Sequence, residues 1–86
     1  MNKIMMQIAF ALSALVAAAA HATDLNHASA FQLEAINGIG EKMAAEIVAE
    51  RNANGAFQSW DEFKKRIKGV GERNLKTMQK DGLEIK

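Results

Sequence analysis

The sequence predicts an all-α domain of four to five short helices, and three observations lead to this fold class. Apolar residues recur at helical spacing, and glycines rather than prolines separate the apolar stretches. Two segments, Ser29–Gln32 and Ser59–Glu62, have the form of a capping box at a helix start. A seven-residue pattern with two glycines occurs at Ile36–Lys42 and again at Ile67–Arg73. We therefore expect two helix pairs in tandem, each joined by a glycine turn.

Residues 1–22 have the pattern of a secretory signal peptide. Lys3 precedes an almost unbroken apolar run from Ile8 to Ala20. The run ends in Ala20-His21-Ala22, and small residues at the first and third of these positions suit a signal peptidase. We expect cleavage after Ala22, export to the periplasm, and a folded domain over residues 23–86.

An uncleaved membrane anchor is the alternative interpretation of the same segment. The stretch from Ile4 to Ala20 approaches the roughly 20 residues that a membrane-spanning helix requires. It is rich in alanine rather than leucine, and only Thr23–Asn26 separates it from the next predicted structure. These features favour the signal peptide over the anchor.

The composition also bounds the chemistry of the folded part. The sequence contains no cysteine, which excludes a disulfide framework and makes a zinc site improbable. A domain this small, held together by packing alone, favours locally connected helices. His27 is the one histidine after residue 22, and the acidic residues are scattered. We expect no enzyme, catalytic residue, metal site, cofactor or small-molecule substrate.

The first helix pair is predicted over about Ala30–Ile36 and Glu41–Asn52. The capping box Ser29–Gln32 begins the first helix, Asn37–Gly40 separates the two, and Asn52–Gly55 ends the second. The positions that we expect these helices to bury are Phe31, Leu33, Ile36, Met43, Ala44, Ile47, Val48 and the stem of Arg51.

The second helix pair follows the same plan. Its first helix begins after Ser59, and Lys68–Gly71 separates it from a helix over about Glu72–Lys80. Asp81 and Gly82 end that helix, and we expect the tail to fold back. The predicted buried positions are Trp60, Phe63, Ile67, Leu75 and Met78, followed by Leu83 and Ile85 in the tail.

The repeated glycine turns have a chemical interpretation of their own. Glycines at alternate positions permit positive φ and let backbone N–H groups face outward without a Cβ to hold an anion away. The apolar residue between them, Ile39 or Val70, is expected to point inward. The next helix adds the positive end of its dipole, so the turn suits a phosphate oxygen. The alternative is a tight corner between helices with no ligand.

Charge is divided unevenly along the chain. From Asp24 to Glu62 there are seven acidic and two basic residues, whereas from Lys64 to Lys80 there are seven basic residues and one acidic. This asymmetry indicates a face that attracts a polyanion, although a solvated basic helix gives the same pattern. Each turn is also followed by a cation, at Lys42 and Arg73.

The two units resemble the helix-hairpin-helix motif, whose pattern is apolar-x-Gly-apolar-Gly-x-x-x-Ala followed by apolar positions. The first copy fits throughout, with Ile36, Gly38, Ile39, Gly40, Ala44, Ile47 and Val48 in order. The second copy departs from the pattern because Leu75 stands where the motif prefers alanine. It supplies Ile67, Gly69, Val70, Gly71 and Met78.

Three further segments, Leu25–Ser29, Arg51–Phe57 and Trp60–Phe63, make nearly the whole folded part similar to the ComEA-type competence DNA receptor domain. The resemblance implies binding of double-stranded DNA without sequence preference, for uptake during natural transformation. It also implies pilus or inner-membrane DNA-uptake proteins as partners. Phosphates on the two strands, across a minor groove, would contact the two turns and nearby cations. The implied DNA-binding residues are Gly38, Ile39, Gly40, Lys42, Lys68, Gly69, Val70, Gly71, Arg73 and Lys76.

An exported protein-interaction module that does not bind DNA is the second functional hypothesis. Helix-hairpin-helix units also serve as docking surfaces, and acidic residues on the first unit are unfavourable beside DNA. These residues are Glu34, Glu41, Glu46 and Glu50.

Among nucleic acids, duplex is favoured over single strands, because the spacing of the aromatic residues fits a core better than a stacking surface. The aromatic residues are Phe31, Phe57, Trp60 and Phe63.

Overall fold

The computed structural model describes residues 22–86, and the predicted all-α fold is confirmed. Within this range, no helix is both long enough and apolar enough to cross a lipid bilayer. Apart from Ala22, the predicted signal peptide lies outside the described residues. The elements are β1 (Thr23–Asp24), α1 (Ala30–Glu34), α2 (Glu41–Asn54), α3 (Trp60–Arg66), α4 (Glu72–Lys80) and β2 (Leu83–Glu84).

Helix α1 begins as the sequence predicts but is shorter. The Ser29 hydroxyl accepts a hydrogen bond from the Gln32 N–H at 3.1 Å, and the Gln32 side chain accepts one from the Ser29 N–H at 2.9 Å. Leu33 and Ile36 are buried as expected. The predicted burial of Phe31 is wrong, because this side chain is 84% exposed. Residues two positions apart on a helix point in nearly opposite directions, so burial of Leu33 directs Phe31 to solvent.

Helix α2 is the longest helix of the described chain and buries Ala44 and Ile47. It continues two residues beyond the predicted end and stops at Gly55, whose φ of +89° favours glycine. The guanidinium of Arg51 donates to the carbonyl oxygen of Leu25 at 2.8 Å and to that of Ala28. These bonds attach the segment before α1 to the last turn of α2.

Helix α3 starts at the predicted cap, where the Ser59 hydroxyl accepts from the Glu62 N–H at 3.2 Å. The link that precedes α3 is fixed by Asn26. The Asn26 side chain accepts from the Phe57 N–H at 2.7 Å and donates to the Phe57 carbonyl oxygen at 3.0 Å. The segment before α1 is therefore joined to the link before α3 by two hydrogen bonds of the Asn26 side chain, which span 31 residues.

Two short strands, which the sequence analysis did not predict, join the ends of the folded domain. Strands β1 and β2 pair in parallel, with Thr23 opposite Leu83. The Thr23 N–H donates to the Gly82 carbonyl oxygen, and the Leu25 N–H donates to that of Glu84, both at 2.8 Å. This pairing buries Leu83, so the expected return of the tail is confirmed.

Both helix pairs contribute to a single core. The rings of Phe57 and Phe63 are buried, and their centroids lie 5.4 Å apart in an edge-on arrangement. Trp60 packs against this cluster while partly exposed. The buried residues are Leu25, Ala28, Leu33, Ile36, Ile39, Ala44, Ile47, Phe57, Phe63, Ile67, Val70, Leu75, Met78 and Leu83. The shared core supports the interpretation of the sequence repeat as one packed tandem.

Candidate nucleic-acid interface

The two glycine turns have the same backbone conformation. We call Asn37–Gly40 the first hairpin and Lys68–Gly71 the second hairpin. The inner glycines, Gly38 and Gly69, have φ values of +98° and +96°, in the region that favours glycine. The outer glycines, Gly40 and Gly71, have extended backbone and serve as N-caps of α2 and α4. The sequence repeat is therefore a repeat of backbone geometry.

In both hairpins the glycines are exposed and the residue between them faces the core. Ile39 is 4% exposed and Val70 is 8% exposed, whereas all four glycines are exposed. The Ile39 N–H donates to the Ile36 carbonyl oxygen at 3.0 Å. Each apolar side chain thus fixes its turn to the core and leaves the neighbouring backbone accessible.

The two hairpins lie side by side, because each inner glycine packs against the second helix of the other unit. A Cβ at Gly38 would lie 3.3 Å from the Met78 Cγ of α4, and one at Gly69 would lie 3.4 Å from the Met43 Cε of α2. Met43 is in the first turn of the helix that follows the first hairpin. One ligand could therefore contact both turns.

Backbone donors are available at the hairpins. Within residues 22–86, the N–H groups of Gly38, Gly40 and Gly69 have no hydrogen-bond acceptor, and no side chain caps α2. The first N–H groups of a helix also carry the positive end of its dipole. The hairpins can therefore donate hydrogen bonds to an anion.

The second hairpin is braced by a side chain that the sequence analysis missed. The Asn74 side chain accepts from the Gly71 N–H at 2.6 Å and donates to the Gly69 carbonyl oxygen at 2.5 Å. The matching position of the first hairpin, 31 residues earlier, is Met43. The brace uses one of the donors that the sequence assigned to phosphate.

The first hairpin carries an acidic contact that the sequence analysis also missed. The Asn37 N–H donates to the Asp81 carboxylate at 2.7 Å. Asp81 and residues 34–40 line a shallow depression at this turn. The sequence identified Asp81 as the end of a helix, and a contact across 44 residues leaves no local signal.

The four predicted cations are exposed on or next to the hairpins. Lys68 belongs to the second hairpin, Lys42 lies in the first turn of α2, and Arg73 and Lys76 lie on α4. None of the four takes part in an ion pair within the part of the chain described here. Lys42 and Lys68 also line one depression together with Met43 and the carboxylate residue Glu46. These charges are free to meet an external anion.

Two other cations of the basic segment form ion pairs with carboxylates of the chain itself. Lys64 forms ion pairs with Glu72 and, at 3.3 Å, with Asp61. The hydrogen bond from Lys64 holds the pKa of Glu72 below its ordinary value. Glu72 follows the second hairpin directly, so Lys64 offsets an acidic charge at that turn.

Arg66 is bound even more extensively. It pairs with Glu50 at 2.7 Å and with Glu62 at 3.1 Å, and its guanidinium carbon lies 4.1 Å from the centre of the Phe57 ring. The hydrogen bond between Arg66 and Glu50 lowers the pKa of Glu50 and raises the pKa of Arg66. The charge count from the sequence therefore overstated the unpaired positive charge of Lys64–Lys80. It also overstated the unpaired negative charge at Glu50.

Comparison with known protein families assigns this architecture. The family model of the helix-hairpin-helix motif matches residues 19–81, which is most of the chain. The chain therefore belongs to the helix-hairpin-helix family. Searches of curated proteins and of solved structures gave no match. Helix-hairpin-helix motifs commonly bind nucleic acid, and the outward glycine turns fit such a function.

Proposed function

We propose that this protein binds double-stranded DNA without sequence preference, through its two hairpins. The observation that carries the proposal is the pair of exposed glycine turns, which share one backbone geometry and lie side by side. A duplex presents two phosphate strands across its minor groove. Two equivalent turns suit a ligand with two equivalent strands.

In this mechanism the backbone of each hairpin holds a phosphate. N–H groups of the turn donate to phosphate oxygens, the helix dipole adds attraction, and the outer glycine permits close approach. Lys42, Lys68, Arg73 and Lys76 contribute charge and release counterions from the DNA. Contacts of this kind fix the position of the protein and carry no base sequence information.

Duplex is proposed over single-stranded DNA because the aromatic side chains are poorly placed for stacking. Phe57 and Phe63 are buried, and Trp60 packs against the core. Binders of single strands use exposed aromatic rings on which successive bases stack. Phe31 is the exposed large aromatic side chain among the described residues, and one such ring does not make a stacking surface.

The cellular setting that we propose rests on the N-terminal segment and on the family resemblance. Residues 1–22 would direct export to the periplasm and be removed there. The folded domain would then act as a ComEA-type receptor that retains incoming DNA during natural transformation, with pilus or inner-membrane uptake proteins as partners. We propose a binding role without catalysis, cofactor or small-molecule substrate.

The salt dependence of duplex affinity tests the binding proposal. About four to six phosphate contacts predict that log K falls with log salt at a slope of about −4 to −5. Fluorescence anisotropy with two duplexes of unrelated sequence should give equal affinities. Absence of binding at low salt, or a strong sequence preference, would contradict the proposal.

The uptake role needs a test in cells. If the host takes up DNA, deletion of the gene should abolish accumulation of labelled duplex in the periplasm. A copy lacking residues 1–22 should fail to restore accumulation, because its product would stay in the cytoplasm. Normal accumulation without the gene would exclude the uptake role and leave the binding activity as a separate question.

Protein docking remains the second candidate function, and two observations favour it. The Asp81 carboxylate is bound at the first hairpin, and Phe31 is 84% exposed beside a depression lined by Thr23, Asp24 and His27. If the purified protein does not bind duplex even at low salt, docking becomes the better explanation of this surface.

A further inference from the structure

Asp81 links the end of the second unit to the turn of the first. It follows α4 directly, and its carboxylate accepts the Asn37 N–H at 2.7 Å. Asn37 immediately precedes Gly38, so a negative charge is fixed one residue from the free amide of the inner glycine. The contact places an anion next to the backbone donors that the proposed mechanism assigns to a phosphate.

The second hairpin has no equivalent of this contact. One repeat before Asp81 stands Glu50, which is paired with Arg66 at 2.7 Å. The position that matches Asn37 is Lys68, and within residues 22–86 no carboxylate accepts a hydrogen bond from the second hairpin. The donor that is occupied there, the Gly71 N–H, is bound by the uncharged side chain of Asn74.

Neighbouring charged residues increase the difference in negative charge between the two hairpins. Glu72, beside the second hairpin, is neutralised by Lys64, whereas Glu41, its counterpart beside the first, has no ion pair within the described residues. The cations are also divided unevenly between the two hairpins. In the sequence, Lys68, Arg73 and Lys76 belong to the second and Lys42 to the first; Lys68 also lines a depression with Lys42.

From these contacts we infer that Asp81 competes with DNA phosphate at the first hairpin, so that the two hairpins hold the two strands with unequal strength. This inference rests on the proposed DNA binding. A phosphate that approaches the first hairpin either displaces Asp81 from the Asn37 N–H or meets its charge at close range, and both lower the affinity. The second hairpin then binds phosphate more strongly, and the first binds it more weakly because the Asp81 carboxylate must be displaced or approached.

A substitution that removes the charge and keeps the hydrogen bond tests this inference. Asp81→Asn retains a carbonyl oxygen for the Asn37 N–H, so the turn keeps its support. Glu84→Gln is the control, because it removes one carboxylate charge three residues along the chain, from an exposed side chain of β2 that pairs with Lys86 at 3.4 Å. Asp81→Ala, which removes both charge and acceptor, reports whether the hydrogen bond is needed to hold the turn.

We expect Asp81→Asn to bind duplex about fivefold more tightly than the unchanged protein at low salt, equal to about 1 kcal/mol. Glu84→Gln should change the affinity less than about twofold, because the Glu84 carboxylate pairs with Lys86 and accepts no hydrogen bond from either hairpin. The gain should shrink as salt rises, since screening weakens the repulsion. Thermal unfolding of each variant checks that the fold is kept.

The outcomes separate this inference from the function on which it rests. If the unchanged protein binds duplex and Asp81→Asn binds no better than Glu84→Gln, competition by Asp81 is wrong and DNA binding stands. If Asp81→Ala binds worse and Asp81→Asn binds as the unchanged protein does, Asp81 supports the turn and does not compete. If no protein binds at low salt, the proposed function itself fails.

Discussion

The two hairpins have the same backbone and different surroundings. Their inner glycines agree in φ to within a few degrees, and both place an apolar residue in the core. The first hairpin is bound by the carboxylate of Asp81, whereas the second is braced by the amide of Asn74 and flanked by three cations. The two copies share their backbone geometry, whereas the side chains that control charge differ between them.

This difference shows that a glycine turn determines only the direction of its donors. Its affinity for an anion depends on neighbours that the motif does not specify, such as Asp81 or Lys64. In the second hairpin an internal ion pair removes an acidic charge, and in the first a distant residue supplies one. Two copies of the same sequence pattern therefore predict the same backbone conformation. They do not predict the same affinity for an anion.

The outer glycines should give the largest effect. A Cβ at Gly40 would meet no atom within 4 Å, and one at Gly71 would lie 3.7 Å from the Asn74 side chain. The double variant Gly40→Val with Gly71→Val should fold, with a loss of about 1 kcal/mol from weaker helix capping. The added side chains should obstruct the phosphates and lower duplex affinity at least about tenfold, equal to about 1.4 kcal/mol.

The inner glycines provide the contrast for that experiment. Ala at Gly38 or Gly69 would have to adopt positive φ, which costs about 1–2 kcal/mol. These variants should therefore lower the melting temperature more than the outer pair does. If the outer variants bind duplex normally, the hairpins are not the DNA contacts.

The cations should rank next. Replacing Lys68, Arg73 and Lys76 together by Ala should flatten the log–log salt slope by about three, whereas Lys42→Ala should flatten it by about one. Lys65→Ala is the matched control, because Lys65 is an exposed cation of α3 outside the proposed site. An equal effect of Lys65→Ala would indicate a diffuse attraction rather than contacts at the hairpins.

Asn74→Met converts the brace of the second hairpin to the residue of the first. The Gly71 N–H and the Gly69 carbonyl oxygen would lose their partner, at a cost of about 0.5–1 kcal/mol, since water can replace it at an exposed turn. Amide hydrogen exchange at Gly71 should accelerate toward the rate at Gly40. Unchanged exchange at Gly71 would mean that the brace is not formed in solution.

The smallest effect concerns acid stability. The hydrogen bond from Arg66 lowers the folded pKa of Glu50, so its stabilisation is complete above the unfolded pKa of about 4.3 and is lost as the pH falls through the folded value. Below about pH 4, the melting temperature of Glu50→Gln should therefore fall less with decreasing pH than that of the unchanged protein does. Glu34→Gln, which removes a carboxylate with no ion pair among the described residues, is the control. Equal acid sensitivity of Glu50→Gln and the unchanged protein would contradict the assignment.

Local signals account for most of what the sequence predicted. The caps at Ser29 and Ser59, the stop at Gly55 and both hairpins depend on residues a few positions apart, and all four are confirmed. The periodic apolar residues of α2 and α4 are buried or partly buried as expected. The predicted burial of Phe31 was wrong because α1 is too short for its apolar pattern to determine which side of the helix faces the core.

Contacts between distant residues account for most of what was missed; the brace by Asn74, three residues from Gly71 and five from Gly69, is the local exception. The strand pair of β1 and β2 is only two residues long on each side, too short for an alternating pattern. Asp81 reaches Asn37 across 44 residues, and Lys64 meets Glu72 across a turn. The position of the hairpins was therefore predictable, while the charge that surrounds them required the structure.

The central claim is that both hairpins donate backbone hydrogens to one duplex, and amide chemical shifts during a DNA titration test it most directly. We predict that the largest shifts at low salt occur at residues 38–41 and 69–72, for any duplex sequence, and that they reverse as salt rises. Shifts confined to one hairpin, or centred on Phe31 and the depression beside it, would contradict the account.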